Sequence, residues 1–453
     1  MIFADLLFLF IFLPVNLLFY FAFKNKSYRN FILVAFSLIF YAWGEPVMIF
    51  LLLATTETNR IFALYIEKHR ETRYGKTLAI IAIGLTLTSL VIFKYTPLFH
   101  LPFHPSLPIG ISFYSFQIIT YIVGVYKGKF AAQRNAVNFL MYVSLYPQLT
   151  AGPIVRYEDI HKQIDTRTTK TEDISKGITR FIIGLAKKVI IANQIGAAAT
   201  SILDGNAVSL TVSGAWLGIF FFALQIYYDF SGYSDMAIGL GRIFGFSFPE
   251  NFDYPYMSKS ISEFWRRWHM TLGGFFRDYV YIPLGGNRKH FRMNLLIVWF
   301  LTGLWHGASW NFALWGVYFG LLIMAEKAFL MKIDGKIPSA PAFIRIITTF
   351  LLVTFGWSMF YFTDFAQMIH FMKSLFGLNG NGIYDIITMN LLYDKFFLVI
   401  IAMIFCAPVY RYTEKHAKLL SDLLTPAVNA ALIILCAIML VGDNYNPFLY
   451  YRF

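Results

Sequence analysis

The amino-acid sequence predicts an all-α polytopic membrane protein with roughly 10–12 transmembrane helices, counted at about 20 residues per crossing. Three observations lead there. Only 14% of the 453 residues are charged and 58% are apolar, whereas a soluble domain is about 25% charged and under half apolar. Apolar runs of roughly 18 or more residues recur from one end to the other, the length a helix needs to cross a bilayer. Lysine and arginine collect in the short loops between those runs, as the positive-inside rule requires of cytoplasmic loops.

The runs cover residues 2–23, 31–66, 78–94, 107–126, 139–154, 178–195, 215–246, 295–325, 344–362, 396–410 and 428–441. The second is too long for one crossing and has basic residues at both ends: Lys24, Lys26 and Arg29 before it, Lys68, Arg70 and Arg73 after it. One crossing would put a basic loop outside. Pro46 in Trp43-Gly44-Glu45-Pro46 disfavours an unbroken helix. Two crossings with an outside turn at Glu45 satisfy both constraints and leave the N-terminus outside. The first run carries Asp5 and its basic flank follows it, so it reads as a retained helix rather than a cleaved signal. The net charge of +13 is accounted for by the loops, and no basic nucleic-acid module is visible.

Residues 1–453 read as a single membrane domain with two polar interruptions. In the first, Thr169 and Glu172 have capping-box spacing, and a helix starting there runs into an apolar segment that Lys187 and Lys188 interrupt. Those lysines snorkel or face a polar cavity. The second, residues 258–293, combines an interfacial helix with an irregular motif loop. Ile261, Phe264, Trp265, Trp268 and Leu272 share one helical face, with Arg266 and Arg267 away from it, which is the pattern of a helix at the membrane surface. The loop from Arg277 through Ile282-Pro283-Leu284-Gly285-Gly286 to Arg288 is too irregular to face lipid, so burial or a polar cavity is expected.

Among nine histidines, His306 is set apart by its place inside a long apolar run, Leu304-Trp305-His306-Gly307-Ala308-Ser309-Trp310-Asn311. An ionisable residue there costs a few kcal/mol unless it faces the bundle or a cavity. If the run is helical throughout, Thr302, Gly303, Ser309 and Trp310 share its face. Two readings stand open: a close helix interface bridged by one imidazole hydrogen bond, or a catalytic base kept neutral by burial. The segment Tyr228-Asp229-Phe230-Ser231-Gly232-Tyr233-Ser234-Asp235 puts two carboxylates in an apolar span, with local unwinding expected near Gly232. Alone, it also suits an ion-coupled transporter. The aromatic tail, residues 442–453, is either an interfacial anchor or a peptide that inserts into a tunnel and presents a tyrosine hydroxyl. Cys406 and Cys436 read as buried packing residues, and the sequence suggests no metal site.

Trp265-Arg266-Arg267-Trp268-His269, the stretch 277–288, Leu304-Trp305-His306-Gly307-Ala308, Tyr228-Asp229-Phe230-Ser231-Gly232 and Gly152-Pro153-Ile154 together resemble the membrane-bound O-acyltransferase (MBOAT) family, in its bacterial alginate O-acetylation branch. The resemblance spans most of the chain. It implies a ring of helices around a central tunnel, with interfacial and re-entrant helices. His306 would lie where a cytoplasmic and an outer funnel meet, and His269 near the cytoplasmic funnel. Arg266, Arg267 and Arg277 would meet the phosphates of coenzyme A. Trp305, Asn311, Asp229 and Asp235 join them as candidate substrate-binding residues. The tail resembles a motif whose tyrosine is proposed to carry the acyl group. Tyr450 matches that position, with Tyr451 where phenylalanine is common.

The activity so implied is O-acetyl transfer from cytoplasmic acetyl-CoA across the bacterial inner membrane to an extracytoplasmic polysaccharide. It needs no bound cofactor, and a periplasmic or membrane-anchored glycan O-acetyltransferase would be the partner. The alternatives are D-alanyl transfer to teichoic acid, whose branch keeps the tail on a separate partner, and the ion-coupled transporter.

Overall fold

A computed structural model of the chain describes residues 1–96, 106–205, 209–332, 340–409, 412, 416, 418–442 and 449. Every regular element among them is helical: α1 Leu13–Ala22, α2 Lys26–Gly44, α3 Ile49–His69, α4 Arg73–Tyr95, α5 Ile111–Tyr126, α6 Ala136–Ser144, α7 Tyr146–Leu149, α8 Tyr157–Thr166, α9 Thr171–Ala186, α10 Gln194–Leu203 and α11 Val212–Ile243. There follow α12 Ile261–Arg267, α13 Met270–Phe276, α14 Phe291–His306, α15 Trp310–Lys332, α16 Ala342–Tyr361, α17 Phe365–Leu375, α18 Ile386–Phe405 and α19 Lys418–Gly442.

Seven helical stretches among the described residues are long and apolar enough to cross a membrane: Ile49–His69, Arg73–Tyr95, Thr171–Leu203, Trp310–Phe329, Ala342–Tyr361, Ile386–Phe405 and Leu423–Gly442. Phe8–Ala22 and Ile111–Tyr126 are shorter apolar helices. The protein is therefore all-α and multi-pass. Helix α11 is not among the seven stretches, and α14, with 16 residues, is too short to be.

The chain divides into two compact units, residues 1–185 with 233–250, and residues 186–232 with 251–453. In the first, the wide turn Phe8–Phe12 is π-helical and leads into α1, where Pro14 cannot donate to the preceding turn. Asn25 caps α2 by accepting from the Tyr28 amide, and the expected turn at Glu45 separates α2 from α3. Residues 139–154, read from sequence as a short crossing, instead form most of α6, then α7 and a buried irregular segment. Pro147 and Gly152-Pro153 interrupt the helix, and the irregular backbone is covered by protein, as a membrane requires. Tyr146 donates from its hydroxyl to Asn16 Oδ1 and packs among Phe12 and Phe40. Helix α9 starts at Thr171, two residues beyond Thr169.

The second unit is built around a helical hairpin. Gly303 in α14 and Gly307 directly after it, and Gly316 and Gly320 in α15, each have the four-residue spacing that lets helices approach closely. A Cβ on Gly303 would lie 2.1 Å from the Phe312 carbonyl oxygen, and one on Gly316 would lie 2.1 Å from that of Trp299. Against the hairpin packs a cluster of Phe264, Trp265, Trp299, Trp315, Phe319, Trp357 and Phe360. The tryptophan stripe of α12 thus points into the unit. The helix also stops sooner than its pattern predicts: Trp268 is extended and His269 is left-handed at φ 43°, so Leu272 belongs to α13. In the following loop Ile282 and Leu284 are exposed, which goes against the first of the two expected placements, burial in protein.

Helix α11 is continuous for 32 residues and passes from one unit to the other after Gly232, without the expected unwinding. Its carboxylates are paired with cationic side chains rather than with backbone groups freed by unwinding of the helix. Asp235 accepts from Arg180 Nη2 at 2.8 Å in the first unit, and Asp229 meets Lys188 Nζ at 2.7 Å in the second.

Candidate active site

His306 is the last residue of α14 rather than the middle of a continuous helix, so Ser309 and Trp310 do not extend its helical face. The chain turns at Gly307-Ala308-Ser309, where a Cβ on Gly307 would lie 2.3 Å from the Phe312 ring. Two side chains tie the turn to the end of α16. Ser309 Oγ donates to Thr363 O at 2.9 Å, and Asn311 Nδ2 donates to Phe362 O at 2.6 Å and Asp364 O at 3.2 Å. The break is therefore held by tertiary hydrogen bonds. The imidazole, 4% exposed, is packed edge-on against Trp305, Trp315 and Phe360, with ring centroids 4.9, 5.1 and 5.1 Å away.

His269 is equally buried. Its positive φ is uncommon for a residue with a Cβ and marks local strain that the surroundings must hold. Asn251 holds it. Asn251 Oδ1 accepts from Thr271 N at 3.3 Å and Thr271 Oγ1 at 2.8 Å, and lies 3.1 Å from His269 Nδ1. Because that oxygen only accepts, Nδ1 carries the proton and Nε2 is the basic nitrogen. Burial lowers the imidazole pKa from 6.5 to about 3, so the ring is neutral at physiological pH. Phe230 packs at 4.7 Å on one side, and Trp305 lies 5.9 Å away. Trp305 thus borders both histidines, and the two imidazoles share one unit.

A match to the family model described as "MBOAT, membrane-bound O-acyltransferase family" runs over residues 127–369. That is more than half of the chain.

The chain belongs to the membrane-bound O-acyltransferase family. It is similar over its whole length to a protein named probable alginate O-acetylase AlgI from Pseudomonas putida, 34% identical over 100% of both chains. It is 32% identical to a peptidoglycan O-acetyltransferase of Helicobacter pylori over 84% of this chain and 80% of the relative. A teichoic acid D-alanyltransferase of Bacillus subtilis is 28% identical over 74% of this chain and 91% of the relative. The protein is thus a membrane O-acyltransferase.

The MBOAT match includes every site residue expected from the sequence except Tyr450, which, with Tyr451, lies outside the described residues. Within it, Arg267 pairs with Glu263 at 2.7 Å and the exposed Arg277 with Asp278 at 2.7 Å. Arg266 is exposed and forms no ion pair among the described residues. Trp305 is buried between the histidines, and Asn311 holds the turn after His306. Asp229 and Asp235, candidate substrate-binding residues from the sequence and coupling-ion ligands in the transporter alternative, are engaged by separate cations. Sequence reasoning missed Asn251, which sits in a polar loop with no motif of its own. It also left Lys188 unpaired, although a cation and an anion in neighbouring apolar spans are a signal that each needs the other.

Proposed function

We propose that this MBOAT protein takes an acetyl group from cytoplasmic acetyl-CoA and passes it across the bacterial inner membrane for O-acetylation of an extracytoplasmic polysaccharide. The observation that carries this reading is the end-to-end likeness to an alginate O-acetylase, joined to two buried histidines bordering one tryptophan. His306 acts as general base. It takes the proton of an acceptor hydroxyl as that oxygen attacks the thioester carbonyl. The tetrahedral intermediate collapses with cleavage of the C–S bond, and the proton passes from the imidazolium to the leaving thiolate. A neutral imidazole suits the first step, and the aromatic walls exclude water that would otherwise hydrolyse the thioester. Thioester to oxygen ester runs downhill, so no metal or nucleotide is required.

Arg266, Arg267 and Arg277 supply positive charge for the donor's phosphates. The acetyl group passes through the Tyr450 hydroxyl to a periplasmic or membrane-anchored glycan O-acetyltransferase. Replacing His306 with Ala abolishes polymer acetylation while the protein still accumulates in the membrane; undiminished acetylation would refute the assignment. The likeness to a D-alanyltransferase keeps D-alanine as the competing acyl group. Purified protein supplied with acetyl-CoA and, separately, with a D-alanyl thioester carrier separates the two.

A further inference from the structure

The ion pair between Lys188 and Asp229 is among the most deeply buried charges in the second unit, with side chains 4% and 2% exposed. It is not closed on itself. Lys188 Nζ meets Asp229 Oδ1 at 2.7 Å, while Oδ2 accepts the backbone amide of Leu449 at 2.9 Å. Leu449 is itself buried and belongs to the same apolar cluster as Tyr228 and Phe264. A residue at the far end of the chain therefore completes the hydrogen bonding of a carboxylate in the middle of α11.

The geometry points to a receptor for the protein's own C-terminal tail, built from Asp229 and Lys188. Three features support it. A buried carboxylate needs donors for both oxygens, and a lysine satisfies one; the second is left for an incoming main-chain N–H, which makes the site specific for backbone rather than for one side chain. Lys188 sits in the π-helical segment Lys187–Asn193, an irregularity of the kind that gathers at functional sites, and α19, which leads to the tail, packs on that same segment. Next to Asp229, Phe230 packs edge-on against His269 at 4.7 Å. The receptor is thus one residue along the chain from a wall of the candidate active site.

The Leu449 amide pins the tail at one point, and burial of the Leu449 side chain in the apolar cluster selects which residue supplies that N–H. Leu449 directly precedes Tyr450. Asp229 is on this account a positioning residue for the segment that bears the proposed carrier. The docking does not depend on acyl chemistry at Tyr450, and the two are separated by the test.

The test is hydrogen exchange at single-residue resolution on the full chain in detergent micelles. The Leu449 amide should exchange about 100-fold or more slower than an unprotected amide. In the double variant Lys188→Met, Asp229→Leu, which removes the acceptor without stranding a charge, exchange at Leu449 should rise at least about 10-fold. Amides at the centre of the α14–α15 hairpin should keep their rates. Asp229→Asn, isosteric with a weaker acceptor, is the second variant should the double one fail to accumulate, and it should accelerate the same amide several-fold. Free exchange at Leu449 in the wild-type chain overturns the proposal, as does an unchanged rate in the variants. Polymer acetylation is measured alongside: if His306→Ala leaves it intact while Leu449 remains protected, the acyl-transfer reading fails and the docking stands.

Discussion

The two motif histidines solve the burial of an imidazole in different ways. His306 ends a long helix, and what fixes it is a hairpin: glycines bring α14 and α15 together, and Ser309 and Asn311 pin the turn to the end of α16. His269 sits between two short helices in a left-handed conformation, held by one hydrogen bond to Asn251. The first is placed by packing and the second by polar contact. At His269 the bond to Asn251 holds the proton on Nδ1 and leaves Nε2 as the basic nitrogen. On the proposed mechanism His306 takes the proton, and the way each ring is held makes a lesser, positioning role for His269 testable.

Activity is where the contrast should be greatest. His306→Ala should lower acyl transfer by about 10²–10⁴-fold, the usual worth of a general base. His269→Ala should cost substantially less in kcat, because it removes a wall of the site rather than the proton acceptor. Initial rates with purified protein in detergent decide it, and equal losses would erase the distinction. The hairpin comes next. Gly303→Ala puts a methyl against a backbone carbonyl that cannot rotate away, so a loss of about 1–3 kcal/mol in stability is expected. Thermal unfolding should register it, with transfer activity falling in parallel because His306 rides on the same helix. Full stability in Gly303→Ala would mean that the hairpin is looser than its glycines indicate.

A smaller effect isolates His269. Its imidazole takes up a proton near pH 6.5 when the chain is unfolded, but near 3 when folded. Between those values the unfolded state binds more protons, so stability falls as pH drops from 6.5 towards 3 and is unaffected above 6.5. His269→Asn tolerates the left-handed backbone and does not titrate there. Its unfolding temperature should therefore decline less over that window. Identical acid profiles for the two proteins would place the acid sensitivity elsewhere. Asn251→Ala should cost about 1–3 kcal/mol by orphaning buried donors, again measurable by thermal unfolding.

Much of this was legible in the sequence. Pro46 and the basic flanks gave the α2–α3 turn correctly, and the isolation of His306 in an apolar run marked it before any geometry. The breaks at Trp268–His269 and at Gly307–Ser309 were not legible, for one reason. Phe264 and Leu272 are buried on either side of the first break, and His306 and Phe312 on either side of the second, so the pattern of buried positions continues across each, and the groups that end the helix, Asn251 and the Phe362–Asp364 backbone, lie elsewhere in the chain. Helix α11 shows the converse. Its polar residues argued for unwinding, yet Lys188 and Arg180 neutralise Asp229 and Asp235 from remote positions and leave the helix intact. Local sequence reports that a charge needs a partner, but not which residue supplies it.

The smallest expected effect lies on the arginines beside His269. Arg267 and Arg277 already have carboxylate partners, whereas the exposed Arg266 forms no ion pair among the described residues. If a phosphate-bearing donor is read at this point, Arg266 is the side chain with charge to spare. An exposed charge contributes little, about 0.2–1 kcal/mol, so Arg266→Ala should raise KM for the donor only a few-fold and leave kcat unchanged. Arg267→Ala should cost more in stability than in KM, since it removes the Glu263 ion pair at the C-terminal end of α12. The KM difference between wild type and Arg266→Ala should shrink as salt is raised, because screening removes the interaction that the substitution removes. A KM that is indifferent to both Arg266 and salt would move the donor's phosphates away from this helix while leaving the roles of the two histidines untouched.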